Sequence, residues 1–216
     1  MGHPSIVSVP NSITQSNLIS NLMARPFLLL SGLTLVVSVL IGCALVPAVN
    51  NFNLQCAALS VLLGGKVTYP TSTAYTLSTN SYFSAQERSL RPTCIVKATS
   101  SNDVATTIRT LSALYSVSKS PRCKFAVRSG GHTPAGGSAN IDGGITIDLH
   151  FMNSTRLNKD RSTVSVEPGA GAGDVSRILD PMKLAIAGGR VSDVAIGGFT
   201  TGGKIFDVKH LSTAEI

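Results

Sequence analysis

His132 is the side chain best placed to do chemistry, because two adjacent glycines precede it at the end of an apolar run. Residues 125–138 read Phe-Ala-Val-Arg-Ser-Gly-Gly-His-Thr-Pro-Ala-Gly-Gly-Ser. Gly130 and Gly131 carry no Cβ, so bare backbone amides can approach a ligand closely while His132 offers a nucleophilic ring beside them. That combination suits an anionic cofactor held at the end of a strand. A second glycine-rich approach surface, Gly197-Gly198-Phe199-Thr200-Thr201-Gly202-Gly203, lies farther along.

Two familiar phosphate loops do not fit this segment. A dinucleotide-binding turn needs Gly-x-Gly-x-x-Gly opening a helix, but Gly130 and Gly131 are adjacent and Pro134 with Gly136-Gly137 follows where that helix should begin. In a nucleotide triphosphatase loop, Gly131, Gly136 and Ser138 would have the right spacing. The position of its phosphate-binding lysine, however, is Gly137.

A frame of strands and helices must position these residues. Residues 94–98 form a short apolar strand, and Ser100 or Ser101 with Asp103 caps a helix. Val104, Ile108, Leu111 and Tyr115 recur on one face of that helix. Residues 125–128 are the next strand and complete a β-α-β unit with a right-handed crossover. The histidine loop, residues 129–140, follows directly. Residues 145–149 and 164–167 alternate with period two, as half-buried strands do. Residues 169–173 read as a turn, and Asp174 caps a short helix carrying Val175, Ile178 and Leu179. A last strand is expected over 184–187. Upstream, residues 54–65 hold a short apolar helix ended by Gly64-Gly65, and the Ser/Thr/Tyr-rich residues 68–89 read as an extended arm.

A chain of 216 residues with few charges, frequent glycine and no tryptophan fits a loop-rich α/β or α+β protein. Its net charge of +7 is scattered and gathers into no long basic tract, even around Arg122, Lys124 and Arg128, which argues against a nucleic-acid footprint. Residues 27–50 carry no charge and follow Arg25. They read as a secretory leader, or as a signal anchor, since about 20 apolar residues also span a bilayer. Small residues around Cys43 and Pro47 favour cleavage, and so secretion, over anchoring. Cys43 lies in the leader, which leaves Cys56, Cys94 and Cys123, most simply one pair plus one spare. Closing Cys56 to Cys94 would constrain a loop of roughly 40 residues by about 3–4 kcal/mol. Cys123 reads as a small buried hydrophobe. No Cys/His spacing suits zinc, so no metal is expected. Asn153-Ser154-Thr155 is an acceptor for N-glycosylation.

Taken in order, several motifs resemble the FAD-binding domain of the vanillyl-alcohol oxidase superfamily, and within it the berberine-bridge-enzyme-like oxidoreductases. They are Pro92-Thr93-Cys94-Ile95-Val96, the Arg128-Ser129-Gly130-Gly131-His132 loop, Asp142-Gly143-Gly144-Ile145-Thr146-Ile147-Asp148-Leu149, Val166-Glu167-Pro168-Gly169-Ala170-Gly171 and Val194-Ala195-Ile196-Gly197-Gly198. The resemblance implies an α+β fold of the p-cresol methylhydroxylase (PCMH) type, with two small α/β subdomains. It divides the chain into a leader (1–48), an arm (49–91), a partial FAD-binding domain (92–203) and a divergent tail (204–216).

The same resemblance implies that the backbone of residues 129–133, from Ser129 to Thr133, holds the FAD pyrophosphate, with Arg128 beside it and Ser138 in the same loop. His132 would bond covalently to the flavin 8α-methyl carbon. Gly197, Gly198, Thr201 and Gly202 would press the second glycine surface against the cofactor. Many relatives carry a second covalent link through a cysteine, and Val191 occupies that position here, so at most one bond is expected. Lys204 replaces the family's third glycine. Beyond it the substrate domain and catalytic base of the family have no counterpart, so no catalytic residue is assigned and little turnover is expected. The implied function is flavin-dependent oxidation of a small organic substrate, with oxygen as acceptor. Two alternatives are an inactive product with residual FAD binding and a membrane-tethered, non-enzymatic module.

Overall fold

The computed structural model describes residues 53–203; the leader with Cys43, and the tail from Lys204, lie outside the described residues. Two subdomains follow one another. The first is a four-stranded sheet of order β1-β2-β4-β3, formed by β1 (Val67–Thr68), β2 (Cys94–Lys97), β3 (Phe125–Arg128) and β4 (Ile145–Asp148). β2, β4 and β3 run parallel, and β1 pairs antiparallel with β2. The β-α-β unit therefore skips a place, because β4 inserts between β2 and β3. The second subdomain is the hairpin β5 (Thr155–Leu157) and β6 (Val164–Val166). It packs with the helix after it around Ala170, Val175 and Leu179.

Alternation along the strands decides which groups enter which layer. One sheet face carries Cys94, Val96 and Ile145, and packs with Leu59 of α1 (Leu54–Leu63) and Leu111 of α4 (Ser101–Ser118). Each such fully buried aliphatic side chain contributes about 1.5–3 kcal/mol. The opposite face carries Thr68, Ile95, Thr146, Asp148, Ala126 and Arg128, all buried. β4 is thus covered on both faces rather than half-buried, as central parallel strands are.

Segment 68–89 is not an extended arm. It forms α2 (Thr73–Asn80) and α3 (Ala85–Ser89). Ser72 and Ser84 cap them, each hydroxyl accepting from the amide three residues on, Tyr75 and Glu87, at 3.2 Å. The serines that hide periodicity in the sequence are the caps. Tyr75, Tyr82 and Glu87 turn inward and cover the polar face of the sheet.

The buried stripe of α4 also differs from the apolar one. It runs through Asp103, Thr107 and Leu111, while Ile108 and Tyr115 are exposed. Thr107 is tolerated inside because its hydroxyl donates to the Asp103 carbonyl at 2.8 Å. Residues 184–187 form no strand: Lys183 ends a 3₁₀ turn in the left-handed conformation, and Leu184 and Ile186 pack singly onto the second core. Asp174 stands inside α5 (Ala172–Leu179) rather than at its cap, its carboxylate accepting from the Gly171 amide at 3.2 Å. A Cys56–Cys94 disulfide, with Cα atoms 6.1 Å apart, ties α1 to β2. Cys123 is buried and makes no disulfide among the described residues. No helix among the described residues is long and apolar enough to cross a membrane.

Asp103 couples this frame to pH. Burial alone would raise its pKa, but bonds from Lys66, from the Thr99 amide and hydroxyl and from Ser100 outweigh burial and hold it at about 2, below 3.8. A depressed folded-state value stabilises the protein above the unfolded pKa, and that contribution disappears as pH falls through the folded one. Unfolding free energy should therefore drop by about 1–2 kcal/mol between pH 5 and 2. Urea titrations should show a flatter profile for Asp103→Asn, and identical profiles would exclude this linkage.

Candidate functional site

The histidine loop leaves β3 at the carboxyl edge of the parallel sheet, where ligands of open α/β sheets bind. A cleft of about 430 Å³ opens there, between this loop, the turn of residues 168–173 and the segment preceding α6 (Ile196–Thr201). The glycines explain how three backbones converge. A Cβ on Gly130 would meet the Ala195 Cβ at 2.9 Å, one on Gly171 the Ser192 carbonyl at 2.9 Å, and one on Gly197 the Pro168 carbonyl at 2.7 Å. Gly131 has φ +68°, a conformation that favours glycine. Ser129 pins the junction, donating to the Pro168 carbonyl and accepting from the Gly198 amide at 3.3 Å.

Amides along the loop divide into two groups. Those of residues 137–139 donate to the Glu87 carboxylate, at 3.3, 3.0 and 2.7 Å. Those of residues 130–133 donate to no acceptor among the described residues. Only the second group is left for a ligand. Ser138 is therefore directed to α3 and away from the cleft, in contrast to its expected place with His132. Thr133 turns locally, its hydroxyl accepting from the Ala135 amide at 3.2 Å.

Arg128 follows the inward alternation of β3 and is buried. It donates to the Ser78 carbonyl at 2.7 Å and to the Ser81 hydroxyl at 2.7 Å, and lies 3.8 Å from the Asp148 carboxylate. The guanidinium sits 4.0 Å from the Tyr82 ring centre, and its Nε has no partner among the described residues. It forms part of the cleft wall rather than projecting into solvent beside it. Burial, opposed by Arg128, pushes the Tyr82 phenol above its ordinary value. The hydroxyl stays protonated and donates to the Ala139 carbonyl at 2.9 Å.

His132 stands on the cleft wall, half-buried, its ring stacked on Phe83 with centroids 4.2 Å apart and planes 22° from parallel. The second glycine surface is partly braced on protein. Gly197 abuts Pro168 and Ser129, Gly198 faces open space, the Thr201 hydroxyl donates to the Gly197 carbonyl at 2.9 Å, and Gly202 caps α6. Val191 is exposed and does not line the cleft. Several lining residues carried no sequence signal of a site: Ser81, Phe83, His150, Asp174, Arg177 and Asp193. Gly169 and Gly171 belong to a motif of the resemblance but were given no contact with the cofactor, and Gly173 read only as part of a turn.

Arg128, Gly130 and His132 line the cleft, and the unpartnered amides of residues 130–133 with the imidazole beside them fit an anionic cofactor with a ring to anchor. Comparison with known proteins agrees. Residues 92–206 match the model of the FAD binding domain family. The chain is 39% identical over 151 residues to the FAD-dependent monooxygenase sdcF of Emericella nidulans, covering 70% of this chain and 30% of that protein. It is 38% identical over 147 residues to the FAD-dependent monooxygenase CTB5 of Cercospora beticola, covering 68% and 28%. It therefore spans about 30% of the length of these relatives. Among solved structures, 6-hydroxy-D-nicotine oxidase from Arthrobacter nicotinovorans aligns with TM-score 0.53 and 29% identity, over 63% of this chain and 28% of the oxidase. The berberine-bridge-enzyme-like 1 variant D396N from Physcomitrella patens aligns with TM-score 0.53 and 19% identity, over 67% and 30%, and shares the fold. Because the match takes in the histidine loop, the glycine turn and the segment that meets them, over more than half its length, the chain belongs to the FAD binding domain family.

Proposed function

We propose that this chain is the flavin-holding part of a secreted FAD-dependent oxidoreductase, with the cofactor joined to His132 by a single covalent bond. The carrying observation is the set of free amides at residues 130–133 beside the imidazole, in a chain of the FAD binding domain family. When bound, FAD supplies the redox chemistry, accepting hydride at N5 from a small organic substrate and passing electrons to oxygen. The protein's part is to hold and orient. The amides of the histidine loop neutralise the diphosphate and the Arg128 wall adds positive potential. Gly197, Gly198, Thr201 and Gly202 keep the third wall in place.

Attachment exchanges a methyl C–H and an imidazole N–H for one C–N bond, releasing two electrons and two protons that dioxygen accepts. Val191, standing where relatives carry cysteine, leaves His132 as the only link. A disulfide and an exposed Asn153 in an acceptor motif support an oxidising, glycosylating compartment. The leader, if retained, would instead tether the protein to a membrane. The expected partner is a small-molecule substrate, without nucleic acid. Purified protein should be yellow and keep its flavin through acid precipitation, while His132→Ala should lose more than about nine-tenths of the acid-stable flavin, its attachment site being absent. Equal acid-stable flavin in the variant would refute the attachment.

A second reading, flavin binding without substrate turnover, uses the same amides and imidazole and assigns them no reaction. Oxygen consumption with candidate substrates separates the two.

A further inference from the structure

We infer that Phe83, which lies outside the residues matched by the family model, is a positioning residue for His132: its ring holds the imidazole in the orientation that attachment requires. The inference rests on the reading of His132 as the point of attachment.

A histidine in a glycine-rich loop keeps free χ1 and χ2 unless something orients it. The usual device is a hydrogen bond from one ring nitrogen to a carboxylate or carbonyl. Among the described residues neither nitrogen of His132 makes one. Its observed ring contact is the stack on Phe83, at 4.2 Å. An offset stack covers one face of the imidazole and leaves both nitrogens uncovered at its edge.

The Phe83 amide donates to the Gly131 carbonyl at 3.1 Å, so the two rings sit on hydrogen-bonded neighbours and their spacing is set by backbone. Adjacent residues fix the same loop at other points. Tyr82 packs on Arg128 and donates to Ala139, and Glu87 gathers the amides of residues 137–139. A core-filling role does not account for Phe83, whose surface is 59% exposed. Its neighbour Tyr82, only 3% exposed, is the residue that fills the core.

The test uses the full-length chain with Phe83→Ala and the ring-preserving Phe83→Tyr, loaded with FAD in air-saturated buffer so that dioxygen can take the two electrons. Total bound flavin is read by absorbance and attached flavin by fluorescence after acid denaturation. Phe83→Ala should slow attachment at least about tenfold while still binding flavin non-covalently, because a misplaced nucleophile loses its near-attack geometry. Phe83→Tyr should restore the rate. Attachment by Phe83→Ala at the wild-type rate would overturn the inference, as would a slow rate that Phe83→Tyr does not restore.

A second arm needs no attachment. In flavin-free protein the His132 ring protons should show an upfield ring-current shift in NMR spectra of the wild type and Phe83→Tyr, lost in Phe83→Ala. Unchanged His132 resonances in Phe83→Ala would also overturn the inference. A wild type that shows the ring-current shift yet binds flavin without attaching it would instead refute the covalent reading and leave the pairing standing.

Discussion

Replacing Glu87 with alanine is expected to destabilise the protein by about 2–4 kcal/mol and to free the far half of the histidine loop. The carboxylate is fully buried, and its two oxygens accept from the amides of Gly137, Ser138 and Ala139. Removing it strands those donors, and the cost of each depends on whether water can replace the lost partner. Gly137 and Ser138 are exposed, so their amides regain water; Ala139 is buried, so its amide does not. Glu87→Gln distinguishes this account from simple loss of volume. An amide oxygen in the place of Oε1 keeps the bonds from Ser138 and Ala139 and forfeits only the one from Gly137, so its cost should be about 1 kcal/mol. Urea unfolding of the two variants measures the difference. Equal losses would mean that the carboxylate does not organise the loop.

Gly169→Ala should be at least as damaging, by about 3 kcal/mol or more, with loss of bound flavin. Gly169 is buried where the second subdomain turns beneath the end of β4, and its amide donates to the Met152 carbonyl at 2.8 Å. A Cβ there would overlap the Leu149 carbonyl oxygen and lie 2.9 Å from the His150 Cα. Both are backbone atoms, so no side chain can rotate away, and one cleft wall must shift. Gly188→Ala is the control, since a Cβ there meets nothing closer than 3.8 Å. Thermal unfolding together with flavin absorbance would show the contrast. A Gly169→Ala protein with wild-type midpoint and colour would contradict the packing described.

The contrast between these glycines shows what a sequence leaves open. Twin glycines before His132 announced a close backbone approach, and the order of motifs announced the flavin fold. Which surface each glycine meets was not legible: Gly197 looked like part of a cofactor platform and is braced against Pro168 and Ser129. Arg128 looked like a charge beside the phosphate. It became a buried wall because β3 alternates, sending Ala126 and Arg128 inward while Phe125 and Val127 lie exposed on the opposite face. The helices of residues 73–89 carried a readable signal, Ser84 three residues before Glu87, which is the spacing of a capping box. Scattered Ser and Thr hid it, because helices this short show little periodicity.

Local chemistry by itself determined the strands around the loop, the helix starting near Ser100, the expectation of one disulfide pair and one spare among three cysteines, and the place of His132 after Gly130 and Gly131. Each depends on residues close in sequence or on simple elimination. Tertiary structure alone decided that Glu87 takes the amides of residues 137–139, leaving those of residues 130–133 free, and that Phe83 covers the imidazole. These are partnerships across about 50 residues, made when segment 72–90 folds over the polar face of the sheet. Nothing in the composition of either segment specifies which donor meets which acceptor until the strands have set their register.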